Sequence, residues 1–414
     1  MLGMNGRQLL AFFNDDLAHV HDLCHVHVSV NTHVIVNTHV IVNTKIETST
    51  SLERALAARL RALLATVDWL PEVSPSRVSQ DTGFDLLATL PLPGGGRAAL
   101  CVECKQEMRP STFPLLVQRE FKPAGRPKTI VRVLALPWVS PRIAELCAEH
   151  GWSWYDLAGN CRLDVPGLLR IERSGNAPVH AVPRPVANLG TSEVARIVRT
   201  LLSPPYYAGQ QWTQRKLEMN CKPRVSLGLV NKVVRHLTDE GFMKALPDGG
   251  FHVTEPVKLL FAWRDAYRFG QHELHDYFTL LQGKQLREAL TGLDNFSGGY
   301  AAYAAFSAAD FQAPNVRQPK TWLYVSSSML EDFAKVAQAK PVDSGGNLVV
   351  LVPSDDGVYF HRERAGSDEH RLLCTNAVQT YVDLWHCGGR GQEAAEALLE
   401  QKIKPAWRAA GLKA

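Results

Sequence analysis

The stretch that most constrains this chain is "RVSLGLVNKVVRHLTDEGFMKALPDGGFHVT", Arg224 to Thr254. Its apolar positions change period partway along. Val230, Val233, Val234 and Leu237 recur at helical spacing behind Ser226, a residue type that caps helix N-termini. From Phe242 onward, short apolar runs flank Asp248-Gly249-Gly250, a turn signal between two strands. A helix with one apolar stripe must bury it against other elements. Those lie upstream. Val194, Ile197, Val198 and Leu201 mark a helix capped at Thr191 or Ser192, and a second short helix spans roughly Thr213 to Met219. Three helices followed by a hairpin predict a central winged helix-turn-helix over residues 191–270.

The face left outside carries chemistry. Asn231, Lys232 and Arg235 project away from the apolar stripe, and Arg224 stands just ahead of the helix. A helix fits the major groove of duplex DNA, with its first turns at base edges and its later basic residues at phosphates. The candidate DNA-binding residues are therefore Arg224, Ser226, Asn231, Lys232 and Arg235. From Thr191 to Gly270 there are 12 basic residues against 7 acidic ones, enough to carry the positive excess of the whole chain, +4. Double-stranded DNA is the expected partner. A homodimer is expected because such modules often read two half-sites. The plain alternative is a winged helix used for protein contacts.

A second stretch, "FDLLATLPLPGGGRAALCVECKQ" from Phe84 to Gln106, reads as a hairpin around glycines. Glu103 and Lys105 lie two apart on its second strand and share a face. Asp85 on the first strand reaches the same spot, and Glu53 on an upstream helix is a fourth participant. Two carboxylates suit Mg²⁺, a hard ion that prefers oxygen ligands. A lysine beside them could orient the water such an ion activates. Asp85, Glu103 and Lys105 are the candidate catalytic residues and Asp85 and Glu103 the candidate metal ligands, with Mg²⁺ required only if this site is active. The plain alternative is a solvated cross-strand ion pair worth ~0.5 kcal/mol. Cys101 and Cys104 form a CxxC, but inside a strand the two thiols face opposite sides.

Around this hairpin the pattern alternates. "SLERALAARLRALLATV" is a helix capped at Ser51, "TIVRVLALPWV" a buried strand, "SPRIAELCAEHG" a helix, and "WSWYDLAGNCRLDV" a strand broken at Gly159-Asn160. This implies an α/β domain over 51–175, and the Asp85, Glu103, Lys105 signature with this element order resembles the restriction-endonuclease-like PD-(D/E)xK superfamily. The resemblance implies either a DNA endonuclease or an inactive DNA-binding scaffold. Residues 1–50, with their tandem "NTHVIV", are expected to be a disordered low-complexity leader. Residues 176–190 read as a Pro, Gly and Ser-rich linker. No apolar run approaches a membrane helix, and eight scattered cysteines suit reduced thiols in the cytoplasm.

Residues 271–414 read as a second α/β module. "YFTLLQGKQLREAL" is expected to be helical, and "TWLYVSS", "NLVVLVPS" and "GVYFHRE" to be strands. A helix, a Gly-Gly-Arg-Gly turn and a long final helix complete it. "ALTGLDNFSGGYAAYAAF" and "VQTYVDLWHCGGRGQEAAEALLEQ", with the winged helix before them, resemble the AbiEi-type antitoxins of type IV toxin-antitoxin systems. The resemblance implies a DNA-binding transcriptional regulator, with Arg224 to Arg235 as its recognition region and a nucleotidyltransferase toxin as its counterpart. Simple members of that family begin with their winged helix, whereas this chain carries an α/β domain ahead of it. Three readings stand: a regulator on operator DNA, a Mg²⁺-dependent endonuclease targeted by the winged helix, and an antitoxin that binds protein without reading DNA.

Overall fold

The computed structural model describes residues 49–78, 82–93, 95–125, 127–179, 187–203, 211–295, 298–364 and 372–414. The expectation for residues 1–50 therefore lies outside the described residues, apart from its last two, which already belong to a helix. Part of the expected linker, 180–186, lies outside them too.

Helix α1 (Ser49–Leu64) begins before Ser51, so the expected cap sits inside the first turn. Its buried Leu52, Leu56, Leu60 and Leu63 lie on one face of a seven-stranded sheet. The strands run in chain order: β1 (Ser76–Arg77), β2 (Leu86–Pro91), β3 (Arg97–Cys104), β4 (Thr129–Leu136), β5 (Ser153–Asp156), β6 (Cys161–Val165) and β7 (Leu169–Arg173). The β3–β4 and β4–β5 pairs are parallel and the others antiparallel. Parallel neighbours need a crossover, and α2 (Phe113–Val117) and α3 (Pro141–Glu149) lie in those two connections. Ser140 caps α3 by accepting from the Ile143 N–H. Strand β3 is covered on both faces. Leu100, Val102 and Cys104 pack with α1, while Ala99 and Cys101 pack with Phe113, Leu116 and Ile143. The two thiols of the CxxC thus face opposite sides of the sheet.

Next come α4 (Ser192–Leu202), α5 (Gln214–Asn220) and α6 (Leu227–Asp239), a two-stranded hairpin of β8 (Met243–Ala245) and β9 (Phe251–Val253), and α7 (Pro256–Ala266). The residues expected inside are inside: Ile197, Val198 and Leu201 from α4, and Val230, Val233 and Leu237 from α6, all fully buried. Gly250 closes the hairpin turn at a φ of +85°, where its Cα sits against the Trp212 carbonyl and leaves no room for a side chain.

The third layer is a five-stranded sheet in the order β11-β12-β14-β10-β13. Its elements run β10 (Glu273–Thr279), α8 (Gly283–Thr291), β11 (Ala301–Tyr303), α9 (Ala305–Gln312), β12 (Thr321–Val325), α10 (Leu330–Val336), β13 (Ala339–Pro341) and β14 (Leu348–Val352). Two of the segments read from sequence differ. Tyr277 and Thr279 belong to a strand, because they are buried alternately with the exposed Phe278, and the helix starts only at Gly283. "GVYFHRE" is no strand. Asp355 accepts from the Gly357 N–H and opens a 3₁₀ turn over Asp356–Tyr359. Helix α11 (Ala377–His386) turns through glycines into α12 (Gly391–Leu398), which passes through a π-helical turn at Leu399–Ile403 into α13 (Lys404–Ala409). Pro405 has no N–H to give the carbonyl one turn back, which fits a local loosening there.

Helices α4, α6 and α7 share one core with α9, α11, α12 and α13. Trp263, Tyr381 and Trp407 lie inside it, and the Trp407 Nε1 donates to the Leu202 carbonyl at 3.1 Å. The seven-stranded domain touches the end of α6, the stretch that follows it and the start of α7. Arg109 donates to Asp239 at 3.3 Å and Lys258 to Glu149 at 2.9 Å, and Arg142 lies 5.9 Å from the Phe242 ring centre.

Candidate nucleic-acid interface and carboxylate cluster

Ser226 caps α6: its Oγ accepts from the Leu229 N–H at 3.2 Å. That bond commits the hydroxyl oxygen to the helix, leaving its proton for an outside acceptor. Along α6, Gly228, Asn231, Lys232 and Arg235 are exposed on one side. Arg224 is exposed ahead of them. Two of these side chains are held by α5: Arg224 pairs with Glu218 at 2.7 Å, and the Asn231 amide donates to Gln214 at 3.2 Å. Lys232 and Arg235 stand in solvent. The structure adds cations that the sequence reading left out, namely Arg215 and Lys216 on α5 and Lys244 on β8, the first and last exposed. Lys216 lies 5.5 Å from the Trp212 ring centre. Their only sequence signal was charge near a helix whose exposed face could not be assigned.

The charge count also included cations that do not reach this face. Arg196 forks onto Asp355, Arg199 is buried against Gln379, and Lys258 pairs with Glu149. Arg264 is sandwiched between Phe261 and Trp385, 4.5 and 4.0 Å from their ring centres. Four of the 12 basic residues thus hold the fold together.

At the end of β3 the second cluster takes shape. Asp85 precedes β2, and its N–H donates to the Val102 carbonyl at 2.9 Å. Its Oδ2 accepts from the Cys104 N–H at 2.7 Å. Glu103 is buried, only 1% exposed. Its Oε1 receives both Lys105, at 2.6 Å, and Arg119 from the segment after α2. Sharing one oxygen between two cations satisfies a carboxylate that burial would otherwise penalise. Glu53 is also buried, but it pairs with Arg77 at 2.5 Å and accepts from Ser49 at 2.9 Å. It sits on α1, the helix on the Cys104 side of the sheet. Burial pushes the Cys104 thiol up, and the charges of Asp85, Glu53 and Glu103 add to that. The structure thus brings Asp85, Glu103 and Lys105 to one end of the β2–β3 pair, and adds Arg119, which sequence spacing did not reveal. Among the described residues no group of three or more His, Cys, Asp or Glu side chains could hold a metal ion.

Residues 252–404 match the family described as transcriptional regulator, AbiEi antitoxin, type IV TA system. The match runs from β9 to the start of α13 and supports a regulator or antitoxin role for the second half of the chain. It leaves the seven-stranded domain and α4 to α6 outside. No curated protein and no solved structure matches the chain. No helix among the described residues is long and apolar enough to cross a membrane.

Proposed function

We propose that this chain is a transcriptional regulator of the antitoxin kind that grips operator DNA in the cytoplasm through a winged helix built from α4 to α6 and the β8–β9 hairpin. The observation that carries the reading is the outer side of α6. It is capped by Ser226, free of apolar cover, and lined by Asn231, Lys232 and Arg235, with Arg224 at its entry. Helix ends meet base edges and basic side chains meet phosphates. Arg235→Ala should weaken binding to all sequences, whereas Arg224→Ala and Asn231→Ala should relax sequence choice. A gel shift on the chain's own upstream DNA at fixed salt tests this. Unchanged affinity in all three variants would sink groove reading and leave an antitoxin that works by protein contact. Co-purification with a neighbouring nucleotidyltransferase toxin tests that counterpart.

A second reading rests on Asp85, Glu103 and Lys105 meeting at one end of two paired strands. In it the first domain is restriction-endonuclease-like. The donor chemistry suits Mg²⁺, which Asp85 and Glu103 would hold and which would supply an activated water and charge neutralisation at a phosphate. Lys105, paired with Glu103 at 2.6 Å, would stand beside the phosphate. Arg119 competes for the same carboxylate oxygen. Plasmid incubated with protein and Mg²⁺ decides the matter: cleavage lost in Glu103→Ala and Lys105→Ala supports the reading, and intact plasmid with the native chain refutes it.

A further inference from the structure

Arg119 reaches the carboxylate cluster from outside the β2–β3 pair, on a segment whose backbone is firmly held. Its N–H donates to the Leu116 carbonyl at 3.1 Å, at the end of α2. Two residues on, Phe121 is buried, its ring centre 5.5 Å from that of Phe84 and 5.4 Å from that of Trp152. The Lys122 N–H donates to the Thr82 carbonyl at 2.9 Å, and the Glu120 carbonyl fills the space that a side chain at Gly83 would need. Thr82 and Gly83 stand just ahead of Asp85. The segment is therefore fixed to the same backbone that carries one of the two carboxylates.

The side chain is placed differently. It is 47% exposed, yet its Nη1 donates to Oε1 of the buried Glu103. Lys105 meets that same oxygen at 2.6 Å. One cation offsets the charge of one buried carboxylate. The second changes the balance of the whole cluster. Asp85 and Glu103 bring two negative charges, and Lys105 and Arg119 bring two positive ones. Glu53, on α1, is matched by Arg77. A cluster balanced in this way has no net attraction for a dication, whereas without Arg119 it would be negative.

We propose that Arg119 is an inhibitory latch on this cluster. By holding Glu103 it lowers the affinity of the Asp85–Glu103 pair for divalent metal, and its exposed guanidinium is the part that swings into solvent when metal enters. The proposal rests on Asp85 and Glu103 being the metal ligands of the second reading above. An arginine that only stabilised the buried Glu103 would have no effect on metal affinity.

The test titrates the full chain with manganese chloride at constant salt and reads free Mn²⁺ by electron paramagnetic resonance. Arg119→Met should bind Mn²⁺ about tenfold more tightly than the native chain, the effect at the dielectric of water of removing one unit charge from roughly 6 Å from a dication. This variant leaves Lys105 on Glu103 and the backbone anchors in place, and urea unfolding checks that it folds. Adding Glu103→Gln to Arg119→Met should abolish the gain. Equal affinity in Arg119→Met and the native chain, or a gain that survives Glu103→Gln, overturns the latch. Plasmid cleavage by the native chain at high Mg²⁺ is scored separately, because the latch lowers affinity without abolishing it. A gain in Mn²⁺ affinity beside intact plasmid upholds the latch and removes the nuclease. Cleavage without a gain upholds the nuclease and removes the latch.

Discussion

Asp383 lies fully buried on α11 and should set the pH dependence of stability together with His272. The Oδ1 of Asp383 accepts from the Tyr267 hydroxyl at 2.8 Å, the Tyr324 hydroxyl at 3.0 Å and the Gln379 amide at 2.8 Å, while Oδ2 has no partner. Burial pushes this carboxyl from 3.8 up to about 7, against the pull of those bonds and of Arg199. His272 shares Tyr267, with Nε2 at 2.8 Å from its hydroxyl. Burial, with Arg199 beside it, takes His272 from 6.5 down to about 4.

The signs of the two contributions differ. The folded pKa of Asp383 is raised, so its contribution is fully present below pH 3.8 and is lost as pH rises through about 7. That of His272 is lowered, so its contribution is present above pH 6.5 and is lost as pH falls toward 4. At about 1.4 kcal/mol per pH unit these amount to ~4 kcal/mol for Asp383 and ~3 kcal/mol for His272. Between about pH 4 and 6.5 the two slopes oppose each other. Each variant therefore exposes the other group. In Asp383→Asn, stability should rise by ~3 kcal/mol from about pH 4 to 7 relative to its own acid value, and in His272→Gln it should fall by ~4 kcal/mol from about pH 4 to 8. The assay is urea unfolding followed by tryptophan fluorescence, in half-unit pH steps at constant salt. In Asp383→Asn the new amide meets no partner on the Oδ2 side, which shifts the whole curve but not its slope. A difference between Asp383→Asn and the native chain that stays flat to within ~1 kcal/mol from about pH 4 to 8 would refute the reasoning.

Other outcomes follow from the same structure. If Lys232 and Arg235 meet phosphates, replacing both by alanine should lower the slope of log affinity against log salt by about 2, since each contact contributes about 0.9. An unchanged slope places them off the backbone. Ser226→Ala should cost about 1 kcal/mol in thermal unfolding through the lost cap, and Ser226→Asp should recover it. Trp407→Ala should cost about 3–5 kcal/mol, because it empties core shared by α4 and the C-terminal helices. A loss under ~1 kcal/mol would show that the two do not unfold together.

How much was legible beforehand depended on the range of the interactions involved. Helix α6 was readable because the apolar period of Val230, Val233, Val234 and Leu237 and the cap at Ser226 are local. Such signals need no knowledge of what lies across the fold. The outward set of Asn231, Lys232 and Arg235 follows from that period by subtraction. The strand at Tyr277–Thr279 was not legible, because "YFTLL" carries no period that separates a strand from a buried helix. Its alternation appears only once β13 and β14 flank it. The pairing of Glu103 with Lys105 was visible at two-residue spacing, but Arg119 was not. It arrives 16 residues later through the turn after α2.

The sequence by itself therefore determined the succession of an α/β domain, three helices with a hairpin, and a second α/β layer, together with the residues on the outer side of α6. Tertiary structure alone decided which of the cations off α6 face outward. It turned Arg196, Arg199, Lys258 and Arg264 into internal ties and joined α4 to α13 through Trp407. Period and caps are written in neighbouring residues. The environment of a charge is written in residues far along the chain, brought close only by folding.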